Sequence, residues 1–330
     1  MKIVFNPSSN LKLLQYGIQI PVTDFRDELI ANAMNAQGIP VEVVSKKLNE
    51  ITRADLIRVH NEDFIDRLKS QDTLIQEIMT CFELINPDGS YNRYDPSKAT
   101  APIAELYDCV IQKIETAYYA SKYCLEGEDA FLLGGGFHHA MSFGGRGFCL
   151  LNDAVIVLEK LRSLRKIKNS WIIDVDAHKG DGSAELTQNN PYISTLSIHM
   201  KNGWPLVTGP LDSEKKLHPW YIPSTVDIEM EVGQEDQYMD RLEKGLQKLK
   251  ESTTRPEMAV IVQGADPYEL DELPSASKLN LTLKQMLQRD LLVSDFLKKE
   301  GIPALYLMGG GYGVHSHEPY VQFLNKVFDK

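Results

Sequence analysis

The sequence predicts a single α/β domain, covering residues 1–330, with an open and mostly parallel sheet and helices on both faces. Short apolar runs alternate with longer amphipathic segments, as expected when helices connect parallel strands. The 330 residues, 43% hydrophobic and 25% charged, show no internal repeat and no break in composition. Clusters of glycine, histidine and aspartate follow several apolar runs, where such sheets bind their ligands.

The first third of the chain predicts few elements and little chemistry. We expect a strand at the N-terminus, a helix over residues 24–35 and a helical region over residues 55–68. His60 is expected at a helix junction in a structural role. Residues 86–102 are rich in Pro, Gly, Ser and Asn, which predicts a long loop that could border a site.

The rest of the chain predicts alternating helices and strands. A helix is expected over residues 103–124, followed by a strand over residues 130–133, and Asn152-Asp153 predicts the capped start of a helix that ends near Arg165. Further strands are expected over residues 171–174, 192–198, 258–262 and 304–308, and further helices over residues 235–251, 282–299 and after Pro319.

Four of these strands lead directly into an unusual cluster of residues. The clusters are Gly-Gly-Gly-Phe-His-His after Leu133, three aspartates and a histidine after Ile173, Gln-Gly-Ala-Asp after Val262, and Gly-Gly-Gly-Tyr after Met308. Parallel strands joined by helical connections end at the same edge of the sheet. We therefore expect the four clusters to lie together and to form the functional site.

The segment from Trp171 to Gly182 is the strongest single signal. Side chains alternate along a strand, so Asp174 and Asp176 should share one face, and His178 continues that phase. A divalent metal is the simplest partner that offsets the desolvation of these groups. The alternative is a solvated turn after a strand, where Asp and Gly are common.

Taken together, the strand ends predict a catalytic metal centre. Asp176, His178 and Asp266 are the candidate ligands, and they leave positions open for water and substrate, as catalytic zinc sites do. His138 and His139 are the candidate general base and general acid. As alternatives, the histidines could belong to a surface loop, and Asp266 could form a turn or a helix cap.

Three further residues complete the predicted chemistry. Asp174 and Asp181 are expected to accept hydrogen bonds from the far ring nitrogens of the histidines, which fixes their tautomer. Tyr312, after three glycines, could donate a hydrogen bond to a developing oxyanion or could simply pack. A phosphate-binding loop is not indicated, because the glycines after Leu133 lead into histidines without the Gly-x-Gly-x-x-Gly spacing.

Composition excludes several other classes of function. The formal net charge of -11 argues against nucleic-acid binding, which depends on Lys and Arg near phosphates. The four cysteines lack a Cys-x-x-Cys spacing, so we expect reduced thiols and a cytoplasmic location. The N-terminus does not look like a signal peptide, and no apolar run reaches membrane-spanning length.

On these motifs the chain resembles zinc-dependent deacetylases of the histone deacetylase family, which have the arginase-deacetylase fold. The resemblance runs from about residue 59 to residue 312. It depends on five motifs in the family's order, Gly-Gly-Gly-Phe-His-His-Ala, Gly-Phe-Cys, Asp-Val-Asp-Ala-His-Lys-Gly-Asp-Gly, Gly-Ala-Asp-Pro and Gly-Gly-Gly-Tyr.

The resemblance implies roles for individual residues. It makes Asp176, His178 and Asp266 zinc ligands, His138 and His139 the catalytic pair, Tyr312 the carbonyl-polarising phenol, and Asp174 and Asp181 the partners of the histidines. It implies a structural potassium ion near Asp174, Asp176, His178, Ser197 and Ile198, held partly by backbone oxygens. It implies a tunnel for an acylated lysine with the substrate-contacting residues Gly147, Phe148, Trp204, Leu273 and Gly311.

The resemblance also implies a substrate class. Leu273 stands where members that act on acetylated polyamines carry an acid, so an apolar residue there favours an acyl-lysine peptide. Asp-Ala-His and residues 229–236 resemble the fourth class of the family, whose members can prefer long fatty acyl groups. Lys179 departs from the His or Gln common beside the zinc-binding histidine. The alternatives are deacetylation of polyamines or small amides, a non-catalytic module that binds acyl-lysine, and, least favoured, a ureohydrolase.

Overall fold

The computed structural model describes residues 1–206, 211, 214, 216–218 and 221–329, and within them it contains one eight-stranded sheet. All neighbouring strands pair in parallel, in the order β2-β1-β3-β8-β7-β4-β5-β6. The strands are β1 Lys2–Phe5, β2 Val41–Val43, β3 Ala130–Leu132, β4 Ser170–Asp174, β5 Ile193–Met200, β6 Val226–Met230, β7 Met258–Val262 and β8 Ala304–Leu307. The predicted fold class is confirmed.

Helices connect the strands and cover both faces of the sheet. They are α1 Arg26–Ala36, α2 Arg53–Ile57, α3 Glu62–Arg67, α4 Gln71–Cys81, α5 Leu106–Leu125, α6 Asp153–Ser163, α7 Asp181–Thr187, α8 Tyr238–Ser252, α9 Leu283–Glu300 and α10 Glu318–Phe328. The predicted helices agree with this set to within a few residues, and His60 lies between α2 and α3 as expected. Strands β2 and β6 and helices α4 and α7 were not predicted.

The core lies on the two faces of the central strands. All five residues of β7 are buried, as are all five of β4, which is typical of parallel strands covered by helices on both sides. Along β7, Ala259 and Ile261 pack on one side, and the three alternate residues pack on the other. Helices α8, α9 and α10 contribute to the first side and α6 to the second.

The strand order explains how distant sequence motifs meet. Strands β3, β8, β7 and β4 are consecutive neighbours in the sheet, and they are the four strands that lead into the polar clusters. Their carboxyl ends therefore lie side by side at one edge. No helix in the part of the chain that the structure describes is long and apolar enough to span a bilayer.

Candidate active site

The segment after β4 folds as a series of bends. The strand ends at Asp174, and residues 176–178 do not continue it, so the predicted alternation through His178 is wrong as a description of the backbone. Instead, the carboxylates cap successive amides: Asp174 Oδ1 accepts from Asp176 N at 3.1 Å, and Asp176 Oδ1 accepts from His178 N at 2.9 Å. These bonds turn the side chains of Asp176 and His178 toward one centre.

Asp176, His178 and Asp266 form a buried cluster that fits a divalent metal. All three are buried, and one ligand atom from each lies within 4.8 Å of the others. His178 Nδ1 is 3.2 Å from Asp176 Oδ1 and 2.7 Å from Asp266 Oδ2. Two carboxylates and an imidazole form a donor set that suits zinc and leaves positions for water and substrate. The predicted ligands are therefore brought together.

Two glycines provide the space for this cluster. A Cβ atom on Gly264 would lie 2.2 Å from Asp176 Oδ2, and one on Gly310 would lie 2.7 Å from the same oxygen. Backbone amides also hold the carboxylates, because Gly310 N donates to Asp176 Oδ2 at 2.9 Å and Ala177 N donates to Asp266 Oδ1 at 2.9 Å. The close approach of backbone fixes both carboxylates while one face of the cluster faces the cavity.

The two consecutive histidines lie beside the cluster, each with its own aspartate. His138 Nδ1 is 2.7 Å from Asp174 Oδ2, and His139 Nδ1 is 2.7 Å from Asp181 Oδ1. The ring centroids are 3.8 Å apart. Both histidines are nearly fully buried. The structure thus brings together the histidine and aspartate partners that the sequence predicted.

The two imidazoles differ in charge despite these similar contacts. Burial disfavours the charged form of His138, but Asp174 and Asp176 outweigh it and raise the pKa of His138 to about 9. Burial and the neighbouring charge on His138 lower the pKa of His139 to about 3, although Asp181 opposes the change. One ring of the pair therefore favours the protonated form and the other the neutral form.

Tyr312 lines the same cavity as the two histidines. Burial, and then the charges of Asp266 and Asp176, raise the pKa of its phenol well above the usual value, so the hydroxyl stays protonated. Tyr312 N donates to Asp271 Oδ2 at 2.7 Å, which fixes the backbone of the tyrosine. A protonated phenol held beside a cavity can donate a hydrogen bond to a carbonyl oxygen.

The cavity has a volume of about 840 Å³, counted with its open mouth. Phe148 lines it together with Gly147 and Gly311, and the Phe148 ring lies edge-on to Tyr312 with centroids 6.2 Å apart. Trp204 lies edge-on to His139 at 4.5 Å between centroids, beside the cavity wall. Leu273 is buried, and it packs in the apolar core rather than among the described residues that line this cavity.

Three charged residues that sequence reasoning missed hold the backbone of the site. Arg26 donates to the carbonyls of residues 309–311 at 2.9 to 3.2 Å. Asp153, predicted only as part of a helix cap, accepts from Gly136 N and Phe137 N, both at 2.8 Å, while Asn152 caps α6. Arg289 Nη1 donates to Val175 O at 2.9 Å and Gly264 O at 2.8 Å. The only sequence signal was a charged residue within a helical pattern.

Lys179, the departure from the family pattern beside His178, is buried in an ion pair. Its Nζ is 2.5 Å from Asp227 Oδ1 and 3.2 Å from Ser224 Oγ, and it lies 4.8 Å from the centroid of the Tyr221 ring. Residues 178–180 are thereby tied to the start of β6. The pairing explains why an ammonium group is tolerated next to the metal cluster.

Known proteins share this domain. A model of the histone deacetylase domain matches residues 21–327. Histone deacetylase B of Dictyostelium discoideum is 28% identical over 308 residues, which cover 91% of this chain and 67% of that protein. Histone deacetylase HDAC1 of Drosophila melanogaster is 24% identical over 331 residues, which cover 96% of this chain but 57% of that protein. The chain thus spans little more than half of some relatives.

A solved structure supports the fold. The crystal structure of an acetylpolyamine aminohydrolase from Burkholderia pseudomallei matches with a TM-score of 0.72 at 20% identity, over 98% of each chain. The open parallel sheet and its site at the carboxyl ends of β3, β4, β7 and β8 agree with the predicted arginase-deacetylase fold. With the domain match over residues 21–327, these findings show that the chain belongs to the histone deacetylase family.

Proposed function

We propose that the protein is a zinc-dependent hydrolase that cleaves the amide of an Nε-acyl-lysine in a protein or peptide. The observation that carries the proposal is the arrangement of three functional groups on one cavity. A buried Asp/His/Asp cluster, a pair of closely packed, mutually tilted histidine rings and a protonated phenol meet at the carboxyl edge of the sheet. Amide hydrolysis needs a polarised carbonyl, an activated water and a proton for the leaving amine.

The chain's residues divide these tasks. Asp176, His178 and Asp266 would hold the zinc ion, which supplies a Lewis acid for the acyl carbonyl and lowers the pKa of water when it is bound. Tyr312 donates a hydrogen bond to the same carbonyl oxygen. His138 and His139 take the proton of the attacking water and deliver one to the leaving amine. We assign this transfer to the pair as a unit, because rings this close titrate together.

The walls of the cavity favour a lysine substrate. Phe148 and Trp204 supply flat apolar faces for the lysine stem, with Gly147 and Gly311 contributing backbone. At Leu273, where family members that act on acetylated polyamines carry an acid, this chain has an apolar residue that packs in the core and offers no carboxylate to a polyamine. Resemblance to the fourth class of the family supports activity on long fatty acyl groups as well as acetyl. We also propose that residues 1–330 act as one catalytic domain.

A structural potassium ion is part of the proposal. Asp174 and Ser197 occupy paired positions in β4 and β5, and both are buried. Ser197 Oγ lies 3.0 Å from His199 Nδ1, and the neighbouring Ile198 is fully buried. Hydroxyl, carboxylate and backbone oxygens at this position would suit a monovalent cation. It would stabilise the segment that carries the metal ligands.

Turnover of defined substrates tests the proposal. Zinc-loaded protein is given one lysine peptide carrying acetyl, octanoyl or myristoyl, and in parallel an acetylated polyamine. The blank is Asp176→Ala, and the matched control is Asp72→Ala, which removes an exposed aspartate of α4. We expect the wild type and the control, but not the blank, to release the acyl group as a carboxylic acid and leave a peptide with an unmodified lysine side chain. Deacetylation of the polyamine but of none of the peptides would show that the substrate is a polyamine and not an acyl-lysine. Stoichiometric zinc without deacylation of any substrate would indicate a non-catalytic binding module.

Tyr312→Phe separates the phenol's chemistry from metal binding. Loss of the hydroxyl removes a donor to the developing oxyanion, so we expect kcat to fall about 10²-fold to 10³-fold. Zinc content, measured by atomic emission, should stay at the wild-type level because Tyr312 is not a ligand. The control is Tyr91→Phe, an exposed tyrosine of the long loop. Unchanged turnover in Tyr312→Phe would contradict the role given to the phenol.

A further inference from the structure

We propose that Arg146 is a specificity-determining residue that favours acyl-lysine peptides with an acidic residue beside the acylated lysine. The inference rests on the proposed function, since it concerns which acyl-lysine substrates the same site accepts. It is carried by the position of Arg146 next to the cavity-lining Gly147, by its contacts with Asp181 and Trp204, and by the partial exposure of its side chain.

The backbone places Arg146 at the rim. Arg146 N donates to Cys149 O at 3.1 Å and Cys149 N donates back to Arg146 O at 3.0 Å, which closes a tight turn. The two residues inside the turn, Gly147 and Phe148, line the cavity. Gly147 has φ of +56°, and a Cβ there would lie 2.1 Å from the Trp204 ring. The turn therefore packs directly against Trp204, and Arg146 immediately precedes the two residues of the turn that line the cavity.

Two contacts fix the direction of the guanidinium. Nη1 lies 3.0 Å from Asp181 Oδ2, the carboxylate oxygen that His139 does not use. The guanidinium carbon lies 5.2 Å from the centroid of the Trp204 ring, within the range of a cation–π contact. The side chain nevertheless remains 40% exposed. A guanidinium has five N–H donors, so most of them remain available at the mouth of the cavity.

The charges near the cavity explain why an arginine at this position would select among charged substrates. The chain as a whole carries a net charge of -11 and attracts cations over long distances. On the Tyr312 side, the exposed Glu272 is held by a hydrogen bond of 3.1 Å from Val314 N. Arg146 places a positive charge against the Trp204 ring and next to the cavity-lining Gly147. In a protein of net negative charge, a cation at this position would favour a carboxylate over an ammonium group on the bound peptide.

The substrate's own chemistry completes the argument. Acylation removes the positive charge of the target lysine, so the nearest remaining charge on a peptide belongs to a flanking residue. A flanking carboxylate can pair with the planar guanidinium through two hydrogen bonds. A flanking lysine, or the free amines of a polyamine, would meet a like charge. Arg146 thus discriminates at the rim, independently of the acyl group inside the cavity.

Matched peptides and arginine variants test this inference. Three peptides differ only in the residues on either side of the acyl-lysine, which are Glu, Gln or Lys, and kcat/KM is measured for the zinc-loaded protein. An exposed ion pair corresponds to roughly a twofold to fivefold effect. We expect the wild type to prefer Glu over Lys by about that factor or more. Arg146→Lys should keep the order, Arg146→Gln should abolish it and Arg146→Glu should reverse it.

Arg162→Gln is the matched control. Arg162 is 38% exposed, pairs with Glu159 at 2.7 Å and lies 5.1 Å from the Tyr192 ring, so it repeats both contacts away from the cavity-lining residues. Its replacement should leave the flank preference unchanged. Zinc content and thermal unfolding are recorded for every variant, and Arg146→Gln and Arg146→Lys still decide the question if Arg146→Glu does not fold.

The outcomes separate the two proposals. If no acylated peptide is turned over by the wild type, the proposed function fails. If all peptides are turned over but the ratio of Glu to Lys flanks is the same in the wild type, Arg146→Gln and Arg146→Glu, the role of Arg146 is wrong and the proposed function stands. A preference that is confined to KM and shrinks at high salt is the expected signature of an ion pair at the rim.

Discussion

His138 and His139 are adjacent in sequence, yet they occupy opposite electrostatic environments. Each ring donates through Nδ1 to an aspartate at 2.7 Å. His138 Nε2 also lies 3.8 Å from Asp176 Oδ1, so two carboxylates face that ring. His139 faces the rings of His138 and His178, and Asp181, the one carboxylate that pairs with it among the described residues, is shared with Arg146. The hydrogen bonds have the same length, but the surrounding charges differ.

The comparison shows that the balance of nearby charges, rather than the dyad hydrogen bond, sets the protonation of each ring. The pKa of His138 is raised to about 9 and that of His139 is lowered to about 3, with burial acting against the charged form in both. A pair tuned in opposite directions holds one proton readily and accepts a second with difficulty. This suits a unit that moves a single proton between water and a leaving amine.

The largest expected effect comes from removing either ring. We expect His138→Ala and His139→Ala each to lower kcat about 10²-fold to 10⁴-fold, because the proton relay is broken in both cases. The double variant should be little worse than either single variant, since residues that act as a unit are non-additive. Single-turnover kinetics with matched zinc content measures this. Additive losses would show that the two histidines act independently and would contradict their assignment to one proton-transferring unit.

His60 sharpens the comparison because it is a buried histidine that pairs with backbone groups and, in the part of the chain that the structure describes, with no carboxylate. Asn152 N donates to His60 Nε2 at 3.1 Å, so the ring is neutral and its Nδ1–H donates to Met141 O at 2.8 Å. Burial lowers its pKa from 6.5 to about 4, close to the value for His139. The similarity is consistent with the positive charges of His138 and His178 offsetting Asp181, which by itself favours the protonated form of His139.

The shift at His60 predicts a pH-dependent stability. The folded state resists protonation of this ring, so its contribution is complete above pH 6.5 and is lost as the pH falls toward 4. The loss should be about 3 kcal/mol in the free energy of unfolding. His60→Gln should remove that part of the pH dependence, measured by urea unfolding of metal-free protein between pH 7 and 4.5.

A matched control for His60 is His317→Gln. His317 also has Nδ1 near a backbone carbonyl, 3.0 Å from Val314 O, but it lies at the surface. Its replacement should leave the pH dependence as in the wild type. If the free energies of unfolding of His60→Gln and the wild type fall in parallel with pH, the buried neutral ring of His60 is not the source of the pH dependence.

The sequence was sufficient for the central strands and for the chemistry at their ends. Strands β4, β7 and β8 are uninterrupted apolar runs, so their limits agree with prediction to within a residue. Strand β2 was missed because it has three residues, none of them buried, and β6 because it is an edge strand with only its end residues buried. Short or half-exposed strands lack the pattern on which the prediction depends.

The parts of the site that sequence could not predict are long-range contacts from unremarkable positions. Arg289 looks like a surface residue in a helix, yet it is fully buried and contacts residues 114 and 25 positions away. Arg146 looks like part of a glycine-rich loop. Residue type and spacing identify groups that do chemistry, but they do not show which polar residues of neighbouring elements hold those groups in place.

Replacing Arg289, which supports the backbone of the Asp/His/Asp cluster, should have the smallest of these effects. It tests whether the carboxylates near His138 depend on that support. Arg289 Nη1 bridges the carbonyls of Val175 and Gly264, which precede the proposed ligands Asp176 and Asp266 by one and two residues. Arg289→Lys keeps a cation beside Asp290 but cannot reproduce the planar bridge. We expect zinc affinity to fall about 10-fold to 100-fold, the usual cost of losing such support.

Competition for zinc with a fluorescent chelator measures the zinc affinity of Arg289→Lys. The control is Arg241→Lys, because Arg241 also donates to a backbone carbonyl, Glu229 O, at 2.8 Å. If Arg289 acts through the segments that carry Asp176 and Asp266, the raised pKa of His138 should change as well, because the negative charge of Asp176 contributes to it. The activity of Arg289→Lys should then return at saturating zinc with an altered pH profile. Full zinc affinity in Arg289→Lys would show that the two strand ends hold their spacing without the arginine.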